Sequence, residues 1–197
     1  MTFAKTLTAA LILVFFTFPA SALDVFALGT SNTNCKNANQ SYTRKLNELL
    51  NADGINVING GSDGDKPIWM QARLQTALSS NPEIKLVIFE PGPNERNKEY
   101  SLKPSAEILS WLQEKKIPTI YVSHTLIQNF MEAPAFAKQF DAYYYGDWTR
   151  GIPLDREHRL YDQLGSPGHL SVKGCEIWAE QMAPLIKEVA RKHNLIN

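Results

Sequence analysis

Charge never accumulates in this sequence. Its 197 residues carry 20 Lys plus Arg against 20 Asp plus Glu, a formal net charge of zero, and no basic run exceeds a dipeptide. The electrostatic footprint of a nucleic-acid-binding protein is therefore missing, and no nucleic-acid partner is expected. Cysteine is almost as scarce, with two in the chain, and neither these nor the four histidines stand at zinc-ligand spacing. Asp63-x-Asp65 is too brief for a calcium loop. The stretch Gly60-Gly61-Ser62-Asp63-Gly64-Asp65-Lys66 is glycine-rich but lacks the Gly-Lys-Ser/Thr ending of a phosphate loop. No metal and no other cofactor is expected. No internal repeat or low-complexity tract is visible.

Long apolar runs are also lacking, save one near the start. Lys5 precedes the run Ala9 to Phe18, which gives way to Pro19-Ala20-Ser21-Ala22. This is the order of a secretory signal peptide with a small-residue cleavage pattern, and the run is short for a membrane span. Residues 1–22 are expected to be a signal peptide and 23–197 a single domain. The protein would be periplasmic or secreted, with no stable membrane insertion after cleavage.

What is present beyond Ala22 is alternation. Asp24–Leu28, Ile55–Ile58, Ile84–Phe89 and Ile117–Val122 are short apolar runs that read as strands, and Ala142–Tyr145 reads as a fifth strand or an aromatic loop. Helical patterns lie between them: Tyr42, Leu46, Leu49 and Leu50 before Gly54; Ile68, Leu74 and Leu78 after Pro67; Ile108, Leu109 and Leu112 after Pro104; Phe136 and Phe140. A last helix is expected over about Ser171–Lys192, with Trp178, Met182, Leu185 and Val189 on one face and Pro184 as a kink. The expected fold class is α/β, a three-layer sandwich in which a five-stranded parallel sheet carries helices on both faces, flavodoxin-like in type. Ligands of such sheets sit at the carboxyl ends of the strands. Polar segments after the first three strands bring Ser31, Gly61 and Asn94 to that edge.

Ser31 stands in Leu28-Gly29-Thr30-Ser31-Asn32-Thr33, where a strand ends in a tight turn. Such a turn can present a nucleophile with little steric cover, or Ser31 and Asn32 can simply cap the next helix. Gly61 likewise reads as a turn glycine or a site of close backbone approach, and Asn94 as a turn residue or an uncharged N–H donor. Among the histidines, His193 is near the C-terminus, and His158 lies in Asp155-Arg156-Glu157-His158-Arg159, which reads as a solvated surface. His124 follows the fourth strand on the active edge and suits a substrate or structural role. Tyr143-Tyr144-Tyr145, Trp148 and Arg150 form an aromatic cluster, read as packing or as a platform for a sugar ring or acyl chain.

Gly29-Thr30-Ser31-Asn32-Thr33, Asn59-Gly60-Gly61 with Gly64-Asp65, Gly92-Pro93-Asn94-Glu95 and Gly168-His169-Leu170 together resemble, in order and spacing, the four blocks of the SGNH (GDSL-type) hydrolases. The resemblance spans essentially all of the chain beyond the signal segment. It implies the SGNH-hydrolase fold, Ser31 as nucleophile and His169 as its base. It also implies an oxyanion hole made by the Ser31 and Gly61 backbone N–H groups and the Asn94 side chain. Such donors, fixed in advance, are worth roughly 3 to 4 kcal/mol of barrier each.

Three positions depart from the family pattern. Thr30 and Glu95 replace Asp residues, and Ser166 stands where the family has the Asp three residues before the His. The expected machinery is therefore a Ser31-His169 dyad whose orienting group is unassigned, Asp162 being the nearest upstream acid. In an oxidising compartment Cys35 and Cys175 are the only pair that could form a disulfide, which would staple the nucleophile segment to the base segment; unpaired, they would be small buried hydrophobes. The expected activity is that of an exported serine esterase cleaving carboxylic esters, with short-chain or acetyl esters favoured, on a small-molecule, glycan or lipid ester. The alternatives are a non-catalytic glycan- or lipid-binding relative and an acyltransferase to a sugar hydroxyl.

Overall fold

The computed structural model describes residues 23–36, 38–124 and 132–197. The expected signal peptide, 1–22, lies outside the described residues. Strands β1 (Leu23–Gly29) and β3 (Ile84–Phe89) are apolar and buried along almost their whole length, the signature of strands covered on both faces. With β2 (Ile55–Gly61), β4 (Thr119–Ser123) and β5 (Tyr143–Asp147) they form a five-stranded sheet in the order β2-β1-β3-β4-β5. Every neighbouring pair is parallel. This is the flavodoxin-like order, and it places the reversal of strand order beside β1.

Among the described residues five helices cover the sheet: α1 (Ser41–Leu50), α2 (Pro67–Ser80), α3 (Lys98–Glu114), α4 (Ala133–Gln139) and α5 (Val172–Lys192). Alternate β1 side chains divide between two cores, as the two-residue strand period requires. Val25 and Ala27 join Leu46, Leu50, Trp178 and Met182 of α1 and α5. Phe26 and Leu28 join Met70, Leu74, Ile108 and Leu112 of α2 and α3. Tyr42 stacks on Trp178 at 4.0 Å and 17°, locking α1 to α5.

Two local expectations change. The third helix begins at Lys98, before Pro104, because the Asn97 side chain accepts from the Glu99 and Tyr100 N–H groups and caps it there. Residues beyond β5 form an antiparallel hairpin, β6 (Arg159–Tyr161) with β7 (Pro167–Leu170). Strands this short, one with a charged residue and the other with Pro and Gly, carry too little alternation to be read as strands. Arg159 is accordingly buried rather than solvated, with its guanidinium over the Trp148 ring at 5.6 Å.

Candidate active site

The register of β1 sets Gly29 opposite Gly61 of β2 and Leu28 opposite Phe89 of β3, so three strands end level. The chain leaves β1 through a tight turn in which Asn34 N–H donates to Thr30 O and Lys36 N–H to Ser31 O. Beneath this turn lies Glu90, with no exposed surface. Its carboxylate accepts from Thr30 N–H at 3.0 Å, Thr30 Oγ1 at 2.9 Å, Thr33 Oγ1 at 3.1 Å and Asn32 Nδ2 at 3.3 Å. Burial pushes the Glu90 carboxyl above the usual range, and these hydrogen bonds oppose the shift. Gly29 is needed here, since a Cβ would come within 2.0 Å of Thr33 Oγ1 and 2.9 Å of Glu90 Oε2. Glu90 was visible in the sequence only as the first residue after a strand.

His169 arrives from the opposite side on β7. Its Nε2 lies 2.8 Å from Ser31 Oγ, across 138 residues of sequence. Burial is the main cause of its lowered pKa; Lys36 adds to the lowering, and Asp63 opposes it. The imidazole is thus neutral near pH 7, the form a base requires. Asp162 does not reach it. The Asp162 carboxylate accepts from Leu164 N–H at 2.9 Å and Ser166 N–H at 2.8 Å, closing the hairpin turn. Among the described residues no carboxylate hydrogen-bonds to His169.

Of the expected oxyanion donors, the Ser31 N–H has no hydrogen-bond partner among the described residues. Asn94 is fixed by donating one Nδ2 proton to Asp65 O at 2.8 Å, which leaves its second proton free. Gly61 differs from expectation. Its N–H donates to Asn59 Oδ1 at 2.9 Å, and the space a side chain would take is filled by Asn34. Gly61 is a close-packing glycine at the end of β2, not an open donor. In this loop neither the Asp63 N–H nor the Gly64 N–H has a hydrogen-bond partner among the described residues; of the two, Gly64 stands at φ +75° with nothing within 4 Å of a Cβ position. It directly precedes Asp65, whose carbonyl holds Asn94.

Arg73, which the sequence did not single out, ties these parts together. From α2 its guanidinium donates to Gly60 O at 2.5 Å, Gly29 O at 3.1 Å and, through Nε at 2.8 Å, the buried Asp65 carboxylate. The ends of β1 and β2 and the Gly64-Asp65 loop therefore share one planar cation.

Cys35 and Cys175 are joined, with Cα atoms 6.4 Å apart, and both are buried. The bond links the Ser31 turn to the first turn of α5, just beyond His169. His124 stacks on Trp148 at 5.6 Å and 17°, and its pKa is lowered to about 4, chiefly by burial. Tyr145 and Trp148 are core residues, and Arg150 lies over the Tyr145 ring at 4.7 Å while donating to its carbonyl at 2.7 Å. Tyr145 and Trp148 thus pack in the core, and Tyr143 and Tyr144 lie half-buried against it.

No family model and no curated protein matches this sequence. Solved structures do. EstA, a psychrotrophic esterase from Pseudoalteromonas sp., is 15% identical over 84% of this chain and 97% of its own, with a TM-score of 0.69. AlinE4, a SGNH-hydrolase family esterase, is 21% identical over 87% of this chain and 98% of its own, at 0.59. The chain has the SGNH-hydrolase fold. Axe2, an acetylxylan esterase from Geobacillus stearothermophilus, shares this fold at 16% identity over 83% of the chain and 93% of its own, with a TM-score of 0.62. At such identities the likeness speaks for the SGNH fold alone, and the chemistry must be argued from the site.

Proposed function

We propose that the protein is a serine esterase that works through an acyl-enzyme on Ser31. The observation that carries this reading is the 2.8 Å approach of Ser31 Oγ to His169 Nε2 at the carboxyl edge of the sheet. In this reading Ser31 Oγ attacks the ester carbonyl carbon as its proton passes to Nε2. The carbonyl electrons move onto oxygen, which is met by the Ser31 and Gly64 N–H groups and the free Asn94 Nδ2 proton. Collapse expels the alcohol, which takes the proton from His169. Water then attacks the acyl carbon by the same route, restoring Ser31 and releasing the acid.

Glu90 and Arg73 act as positioning residues, holding the nucleophile turn and the oxyanion loop. The disulfide keeps the turn and the base segment together where no carboxylate among the described residues orients the imidazole. Short-chain or acetyl esters are the favoured substrates, and export by the N-terminal segment accounts for a disulfide. Ser166, in place of an acid, favours a second reading as a non-catalytic binding protein. Hydrolysis of p-nitrophenyl esters of increasing chain length, beside the Ser31→Ala variant, separates the two. Turnover that vanishes in the variant, together with fluorophosphonate labelling of Ser31, supports the esterase; equal rates in both proteins refute it. Release of acylated sugar when an acceptor is added would mark a transferase instead.

A further inference from the structure

Six large apolar side chains stand exposed among the described residues: Ile68, Trp69, Tyr100, Leu154, Leu164 and Val172. Ile68 and Trp69 are in the first turn of α2, Tyr100 in that of α3, and Val172 opens α5. Leu154 follows β5, and Leu164 is in the turn of the β6–β7 hairpin. All six therefore lie at the carboxyl edge of the sheet, which also holds Ser31 and His169. Singly exposed hydrophobic residues are ordinary, but their gathering at one edge is not.

Two of the six lie on segments tied to site residues. Leu164 is 92% exposed on the hairpin that carries His169. Its turn is held by the Asp162 carboxylate and by Asp162 N–H donating to Ser166 O at 3.0 Å. Trp69 lies under the Lys66 ammonium at 5.8 Å, and Lys66 pairs at 3.1 Å with Glu95, the neighbour of Asn94. Charges at this edge balance: Lys36 pairs with Asp63, Lys66 with Glu95, Lys98 with Glu132 and Lys173 with Glu157, and Arg96 and Arg156 are matched in number by Glu99 and Asp162. The edge thus offers no excess of positive charge to an anionic surface. Ile68, Leu154, Leu164 and Val172 are aliphatic and give no flat face for a sugar ring, whereas they match hydrocarbon, with Trp69 and Tyr100 suited to its boundary with water.

We propose that the carboxyl edge docks on the surface of an electrically neutral amphiphile aggregate, with Leu164 and Trp69 entering it from the edge that holds Ser31. The inference rests on the esterase reading for what happens next, but the docking itself needs no turnover. It is tested first with Ser31→Ala in the chain from Leu23 onward, which contains the whole described fold. That protein should co-sediment with phosphatidylcholine vesicles, and adding Trp69→Ser and Leu164→Asp should weaken binding at least tenfold. With Ser31 intact, the same pair of substitutions should lower the ratio of the rate on micellar ester to the rate on monomeric ester by a similar factor. Binding only to phosphatidylserine vesicles, retention on insoluble xylan but not on vesicles, or a dimer in sedimentation that hides Trp69 would each overturn the proposal. If Ser31→Ala binds vesicles while the unsubstituted protein cleaves no ester, the docking surface stands and the esterase reading falls.

Discussion

Replacing Glu90 by Gln tests whether the buried carboxylate holds the turn that carries Ser31. Oε2 accepts from Thr30 N–H, Thr30 Oγ1 and Thr33 Oγ1, and Oε1 from Asn32 Nδ2. An amide has one acceptor oxygen. If that oxygen keeps the Thr30 and Thr33 bonds, its NH2 group meets the Asn32 NH2 group, and one bond to a charged acceptor, worth roughly 1.5–3 kcal/mol, is lost. The neutral amide escapes part of the carboxylate's desolvation, so the lower end of that range applies. For a chain of this size that is a fall in Tm of roughly 3–6 °C. Because Ser31 sits between Thr30 and Asn32, kcat should fall about tenfold or more, with KM little changed.

The effect has a sign in pH. Glu90 binds its proton more tightly folded than unfolded, burial being the first cause. Its contribution to stability is therefore fully present below the ordinary carboxylate pKa and is lost as pH rises through the raised value. The stability gap between wild type and Glu90→Gln should narrow as pH rises from acid toward neutrality. Urea midpoints across that range, with kcat on a p-nitrophenyl ester, measure both. A variant of unchanged Tm and kcat would refute the role assigned to Glu90, and a gap that widens with pH would refute its raised pKa.

Other outcomes follow from the same geometry. Asn94→Ala should lower kcat by about two to three orders of magnitude with little change in KM, as loss of one oxyanion donor does. The acid limb of the kcat/KM profile should lie below the ordinary histidine pKa; Lys36→Met should move it up and Asp63→Asn down, since the first lowers the His169 pKa and the second raises it. Both groups are partly exposed, so high salt should shrink these shifts. Removing the disulfide by Cys35→Ala with Cys175→Ala opens a 140-residue separation and should cost roughly 2–5 kcal/mol in denaturant unfolding. The unreduced, denatured wild type should show no free thiol.

Much of this protein is determined locally. Five apolar runs separated by helical patterns specify a parallel, doubly covered sheet, because strands buried on both faces cannot alternate with polar residues. Parallel strands in turn send the segments that follow them to one edge, so Ser31 and Asn94 could be placed together from sequence alone. The hairpin that brings His169 to Ser31 was not legible, since its strands hold three and four residues and are stabilised by what they pack on. Gly61 and Gly64 could not be told apart either. Both are loop glycines in sequence, and what separates them is tertiary: Asn59 takes the Gly61 N–H and Asn34 packs against Gly61, while Gly64 stays open. Glu90 and Arg73 were hidden for the same reason: a charged residue beside a strand or on a helix ordinarily faces water. These two are buried or bridging because donors and carbonyls from segments distant in sequence converge on them, and that convergence exists only once the sheet has formed.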